Sequence, residues 1–348
     1  MKTCKNIFNQ IISPENLLIS WDEFKKGKGS KEDVMKFEWN LEDNIFKLHH
    51  ELVSKNYKHC EYTSFHIHDP KRRHIHKASV RDRVLHHAIF RVLNPIFEPS
   101  FIHTSFSCRV DKGTHKGITA LSQMLNKVSQ NNTQKCFALK CDVKKFFDTV
   151  HHGILRNIIS KRIKDNNALW LLEEIIESYI TKYSNLFDRR GIPIGNLTSQ
   201  LFANIYMNEF DQFIKSDLRI KHYVRYTDDF VIVSQDEKYL INLAKVLNFI
   251  LQTRLDLKLH PSKVWVRKYS QGIDFLGSVI VPHYKLPRAK TKQRIFRKTK
   301  QKLKEFNGDK ISENTLNQTL QSYLGVLTHT SSFKVSEQLK NQYFFGIN

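Results

Sequence analysis

VRYTDDFVIV, residues Val224 to Val233, sets two adjacent acids, Asp228 and Asp229, between two runs of strand-forming residues. Adjacent carboxylates repel one another. A chain that holds them at the tip of an apolar hairpin either leaves them to water in a solvated turn or offsets the repulsion with a cation. The pair alone does not choose between these readings. A third acid does: in FALKCDVKKFFDTV, Phe137, Leu139 and Cys141 alternate toward Asp142, as in a strand that delivers an acid at its end. Two antiparallel strands of one sheet would bring Asp142 beside Asp228, with a helical insertion between them. Two or three carboxylates at a sheet edge make a hard-cation site. It suits Mg²⁺, which prefers oxygen and binds through one or two carboxylates plus substrate phosphates. Two such ions about 3.5–4 Å apart can activate a hydroxyl and stabilise departing pyrophosphate.

Composition points the same way. The 348 residues exceed one ordinary domain, so two or three packed units are expected. With 40% apolar and 11% aromatic residues the chain has the material for real cores. Its 56 Lys and Arg against 34 Asp and Glu leave a net charge of +22, spread along the chain. Nucleic acid is the partner that such a surface fits first, an anionic membrane second. No apolar run approaches the roughly 18–20 residues that span a bilayer, and the first residues lack a secretory apolar segment. A cytoplasmic protein with no membrane partner is expected. Five cysteines without CxxC spacing read as reduced thiols. His66, His68, His74 and His76 flank a basic turn, with no further ligand to complete a tetrahedral zinc set, so phosphate-facing strands are the favoured use.

Periodicity fills in the rest. Leu41, Ile45, Leu48 and Leu52 repeat at helical spacing, as do Val84, Ala88 and Val92 with Leu93, and Ile118, Leu121, Leu125 and Val128. Short alternating strands are expected between Tyr62 and Ile75, around the basic DPKRR. A Gly- and Pro-containing loop opens a helix at about Thr198, and KYLINLAKVLNFILQTRL is amphipathic. Near the C-terminus Lys290, Arg294, Lys298 and Lys302 recur every four residues, with Ile295, Leu303 and Phe306 as a modest apolar side. That stripe is either a solvated face or a contact for a nucleic-acid backbone.

Four stretches, FALKCDVKKFFDTV, GIPIGNLTSQLFANIYMNEFDQFI, HYVRYTDDFVIV and GIDFLGSVI, stand in the order and spacing of motifs A, B, C and E, and in them the chain resembles the reverse transcriptases. DPKRRHIHKASVRDRVLHHAIFRVLNPIFE and SFSCRVDKGTHKGI are similar to the upstream finger blocks of the group II intron-related branch. Group II intron enzymes usually carry QGxxxSP in motif B. IGNLTSQ, Ile194 to Gln200, instead resembles the enzymes of diversity-generating retroelements and some bacterial relatives. Thr227, where relatives often have Met or Ala, and Ser278, where an aromatic is common, depart from the pattern beside the primer terminus.

The resemblance implies an α+β right-hand polymerase fold. Residues 1–60 would form an N-terminal helical extension and 61–135 the fingers. The palm would span 136–282, with a helical insertion at about 150–195, and a basic helical thumb 283–348. It implies Asp142, Asp228 and Asp229 as ligands of two Mg²⁺ ions, with Mn²⁺ as a substitute, and Asp229 in the outer position. Lys263 would serve as an acid toward pyrophosphate. Lys71 and Arg73 would grip the incoming triphosphate, and Phe147 would block a ribose 2′-hydroxyl unless it is a core aromatic. Gly195 would admit the nucleotide, while Asn196 and Gln200 would bond template or base edges. Lys290, Arg294, Lys298 and Lys302 would hold an RNA–DNA hybrid. The expected activity is RNA-directed DNA synthesis from dNTPs on a dedicated RNA template, with an accessory protein or an oligomer assisting. The motif B spelling favours error-prone copying in a diversity-generating retroelement; the alternative is cDNA synthesis from a noncoding RNA, or protein-primed or untemplated synthesis, in anti-phage defence. A minor alternative is a non-catalytic RNA-binding scaffold, against which the three intact aspartates argue.

Overall fold

The computed structural model describes residues 3–69, 71–185 and 187–347. A two-stranded antiparallel hairpin comes first, β1 (Thr63–Ile67) with β2 (Arg73–Lys77). The central sheet contains β3 (Phe137–Asp142), β4 (Tyr223–Tyr226), β5 (Asp229–Ser234) and β6 (Trp265–Lys268), in the order β4-β5-β3-β6. A smaller meander, β7 (Ile273–Phe275), β8 (Ser278–Val281) and β9 (Tyr284–Pro287), follows.

The central sheet is covered on both faces, which is why Phe230, Val231, Ile232 and Val233 run on without a polar break. Leu139, Cys141, Phe230 and Ile232 face a large core with helix Glu237–Leu255, which contributes Leu240, Leu243, Leu247, Leu251 and Leu255. Ala138, Val224, Val231 and Val233 face a second core with helix Thr114–Val128, built on the expected Ile118, Leu121, Leu125 and Val128. The alternation seen in β3 therefore marks two packed faces and not one packed and one wet.

The N-terminal helices, from Phe8–Ile12 to Leu41–Val53, share that large core: Ile11, Leu17, Trp21, Ile45, Leu48 and Leu52 belong to the same buried cluster as Leu139 and Phe230. Residues expected as an extension are thus continuous with the sheet's packing. Within the insertion expected at about 150–195, the described residues are helical through His152–Arg162 and Asn166–Glu177, and an irregular stretch then leads to helix Leu197–Gln212.

The C-terminal helices Ala289–Asn307, Glu313–Leu327 and Phe333–Phe344 close on a small core of their own, including Ile295, Leu303, Leu316, Leu320 and Leu339. On the first of them the four-residue repeat does not stay on one open face, because a helix turns every 3.6 residues. Arg294 and Lys298 lie 3.9 and 3.8 Å from Asp69 at the tip of the β1–β2 hairpin, and Lys302 pairs with Glu305. Lys290 is exposed, as are Arg297, Lys300 and Lys304, so the solvated basic surface differs from the stripe read from the sequence. No helix among the described residues is long and apolar enough to cross a membrane.

Candidate active site

The register of the central sheet sets Asp142 directly opposite Asp229 across β3 and β5. Asp228 occupies the turn between β4 and β5, where its carbonyl accepts a hydrogen bond from the Val143 amide at 3.1 Å. Three carboxylates from two distant stretches thus share one sheet edge. Thr227, before them, is left-handed at φ 55°, which a β-branched residue rarely adopts. Its hydroxyl donates to Ser107 Oγ at 2.6 Å, and its carbonyl accepts from Arg225 Nη1 at 2.9 Å. The departure at Thr227 is therefore a tie that holds the turn, and Ser278 is buried in β8.

Burial, with Asp142 close by, pushes the Asp228 carboxyl up to about 6. Burial likewise raises Asp229 to about 6, against the opposing pull of Lys140. Lys140 Nζ lies 3.2 Å from Asp229 Oδ2, and Lys263 donates to Asp142 Oδ1 at 2.8 Å. Asp229 Oδ1 is buried without a hydrogen-bond partner. No group of three or more His, Cys, Asp and Glu side chains among the described residues is gathered for a metal ion, and Lys140 and Lys263 lie against one oxygen of Asp229 and of Asp142, respectively. The donors at this edge are all oxygens, two of the acids are held at a cost while charged, and one buried oxygen is unsatisfied. Such a set fits a hard divalent cation.

That cost has a sign. The folded Asp228 carboxyl holds its proton up to about pH 6, whereas an ordinary Asp releases it near 3.8. Metal-free stability contributed by this group therefore falls as pH rises from about 4 through 6. Asp228→Asn, which cannot ionise, is expected to melt above the parent protein in chelator at pH 7.5 and to lose that advantage below about pH 4. Melting curves across that range check it; an advantage independent of pH would assign the effect to packing.

The loop before helix Leu197–Gln212 is shaped by Gly195, which sits at φ 115°, and a Cβ there would meet Ile75 Cγ2 of β2 at 3.0 Å. The backbone angle calls for glycine, and the approach to Ile75 is tighter than an ordinary Cβ contact. The loop is tied to the hairpin by His76 N–H donating to the Ile194 carbonyl at 3.2 Å and Asn196 Nδ2 donating to the His76 carbonyl at 3.1 Å. Asn196 is buried, so it acts here as a strut between loop and hairpin and not as an open base contact; Gln200 is half-buried one turn further on. Phe147 is half-buried against the large core and edge-on to the buried Phe146. Lys71 and Arg73 are exposed, and no ion pair among the described residues joins them to the carboxylates. His66 and His74 stack at 4.4 Å on the hairpin.

Two groups carry no clear signal in the sequence. Lys140 is one, although its place two residues before Asp142 on a strand puts both on one face. The other is a fully buried ion pair, Arg225 with Asp211. Arg225 Nε and Nη2 donate to Asp211 Oδ1 and Oδ2 at 2.8 and 2.5 Å, and Tyr223 donates to the same carboxylate at 2.6 Å.

The sequence profile of the reverse transcriptase (RNA-dependent DNA polymerase) family matches residues 67–280, a span that contains all three aspartates. The chain belongs to the reverse transcriptase family. Its mixed helices and antiparallel sheets are the right-hand polymerase fold. Similar proteins include Protein YkfC of Escherichia coli (strain K12), 25% identical over 236 residues, covering 58% of this chain and 61% of YkfC. The uncharacterized 91 kDa protein in the cob intron of Schizosaccharomyces pombe is 23% identical over 61% of this chain and 26% of its own length. The group II intron-encoded protein LtrA of Lactococcus lactis subsp. cremoris is 25% identical over 38% of this chain and 21% of LtrA. The chain thus spans less than two thirds of the length of each.

Proposed function

We propose that the chain is an RNA-directed DNA polymerase that makes cDNA by attack of a primer 3′-hydroxyl on the α-phosphate of a dNTP. The observation that carries this reading is the convergence of Asp142, Asp228 and Asp229 on one sheet edge, with Asp229 Oδ1 buried and unpartnered. Asp142 and Asp228, with that oxygen of Asp229, are the groups that would hold magnesium. When bound, magnesium supplies Lewis-acid stabilisation of the charge that develops on the attacking and leaving oxygens. The chain's own residues position the reactants. Thr227 and Arg225 fix the turn, the Gly195 loop is braced on the hairpin, and the exposed Lys71 and Arg73 are free to meet a triphosphate. On this reading residues 61–135 are fingers, 136–282 palm and 283–348 thumb, with 1–60 packed into the same core.

Phe147 stands beyond Asp142 with part of its ring open. Phe147→Ala is expected to raise ribonucleotide incorporation relative to deoxynucleotide by at least about tenfold. Primer extension with competing rNTP and dNTP measures the ratio; no change would make Phe147 a core aromatic only.

The template is a dedicated RNA, and IGNLTSQ supports error-prone copying in a diversity-generating retroelement. Purification from the native locus, with sequencing of co-purified RNA and DNA, tests this. cDNA that matches a bound RNA except at template adenines is the expected result. Faithful or repetitive cDNA from a noncoding RNA would replace it with a defence role.

A further inference from the structure

Lys140 and Lys263 both face catalytic-site carboxylates, and their surroundings differ in kind. Lys140 is 12% exposed, lies 3.2 Å from Asp229 Oδ2 and also donates to the Asp274 carbonyl at 3.0 Å. Asp274 is itself held, because Arg288, at the start of helix Ala289–Asn307, donates to its carboxylate through Nε at 2.9 Å. Lys140 therefore has two partners, one of them braced, and little water to replace either. Lys263 is 45% exposed, and its ammonium makes a single hydrogen bond among the described residues, to Asp142 Oδ1. Its backbone is tethered at the site all the same: Lys263 N–H donates to the His260 carbonyl at 3.1 Å, and His260 N–H donates to the Asp142 carbonyl at 2.8 Å.

We infer that the two lysines are a fixed and a displaceable counter-ion: Lys140 stays on Asp229 as a positioning residue, while Lys263 holds Asp142 only until a divalent cation takes its place. The inference rests on the polymerase reading above, since it concerns the same carboxylates. An exposed ion pair is weak, so a cation with greater charge density displaces it readily. The Lys140–Asp229 pair is more closed, 12% and 21% exposed, and loss of either partner leaves a charge that water compensates poorly. Asp229 then offers a cation only Oδ1, the oxygen without a partner, and Asp142 offers both of its own once Lys263 swings away. The short backbone tether keeps the released ammonium beside the site, where departing pyrophosphate needs a proton or a cation. Metal entry and the freeing of Lys263 become one event.

The test uses metal-stripped full chain and Mn²⁺ alone, without nucleotide, read by loss of the free-ion EPR signal. Lys263→Ala is expected to bind Mn²⁺ about two- to fivefold more tightly than the parent, the scale of an ion pair this exposed, with an unchanged metal-free melting temperature. The same variant extends primers more slowly, so affinity and turnover move in opposite directions. Lys140→Met is expected to lower the metal-free melting temperature and to regain more of it on Mn²⁺ addition than the parent gains. If it fails to fold, Lys140→Gln, which keeps a donor for the Asp274 carbonyl, takes its place. Equal or weaker Mn²⁺ binding by Lys263→Ala, or an unaltered metal-free melt on loss of the Lys140 charge, overturns the inference. Primer extension by the parent separates the two claims. Extension without the affinity gain removes this inference alone, whereas no extension and no Asp228-dependent Mn²⁺ binding removes the polymerase reading with it.

Discussion

Asp228→Ala is expected to lower templated dNTP incorporation by at least about a thousandfold and to leave RNA affinity within about twofold of the parent protein. The two outcomes separate because the carboxylate has two opposite effects. For chemistry it is one of three acids at a sheet edge, where burial and the nearby Asp142 push its carboxyl up to about 6 and an added cation would relieve the repulsion. For binding a polyanion it is a local repulsion within a chain of net charge +22, and its removal costs nothing. Steady-state primer extension and fluorescence anisotropy with the same RNA measure the pair. Parallel loss of both would mean that Asp228 maintains the fold, and undiminished incorporation would sink the catalytic assignment. A scaffold without activity predicts no incorporation in the parent either, which the same experiment reads directly.

Much of this arrangement is legible in the amino-acid sequence. Strong β-formers on both sides of Asp228 and Asp229 leave a hairpin as the favoured local outcome, and the alternation ending at Asp142 gives that acid a strand terminus. Antiparallel register then does the rest, because strands of matched length end together. Helix Thr114–Val128 follows its apolar repeat for the same local reason. Residues whose partners are chosen by tertiary packing are illegible. Lys140 looks like any lysine in a basic chain until Phe275 and the Asp274 carbonyl come beneath it from a strand far along the sequence. Asn196 carries no mark that its amide turns inward to His76, and the basic repeat after Lys290 cannot show that Asp69 will meet it. Nor does the N-terminal periodicity tell which core its apolar face enters, since a stripe specifies burial and not a partner.

Arg225→Met is expected to destabilise the protein by about 3–5 kcal/mol. Arg225 and Asp211 are both 0% exposed, and the guanidinium meets the carboxylate through Nε and Nη2. Removing the cation strands Asp211 in the core with Tyr223 as its one side-chain donor among the described residues, an uncompensated charge in low dielectric. Asp211→Asn should cost less, because the amide keeps an acceptor for Tyr223 while Arg225 retains the Thr227 carbonyl and the Asn204 side chain. Replacing both, Arg225→Met with Asp211→Leu, should return most of the stability, as apolar pairs of similar volume commonly do for buried ions. Urea midpoints of the three variants test the order, and an Arg225→Met midpoint equal to the parent's would show the pair to be dispensable. Incorporation by the double variant decides what the pair is for. Its core is repaired, but the Arg225 Nη1 bond to the Thr227 carbonyl is gone, and with it one of the two ties that keep Thr227 left-handed before Asp228. Stability that returns without activity would locate the purpose of this buried charge in the shape of the turn, since nothing in the packing of the core requires it.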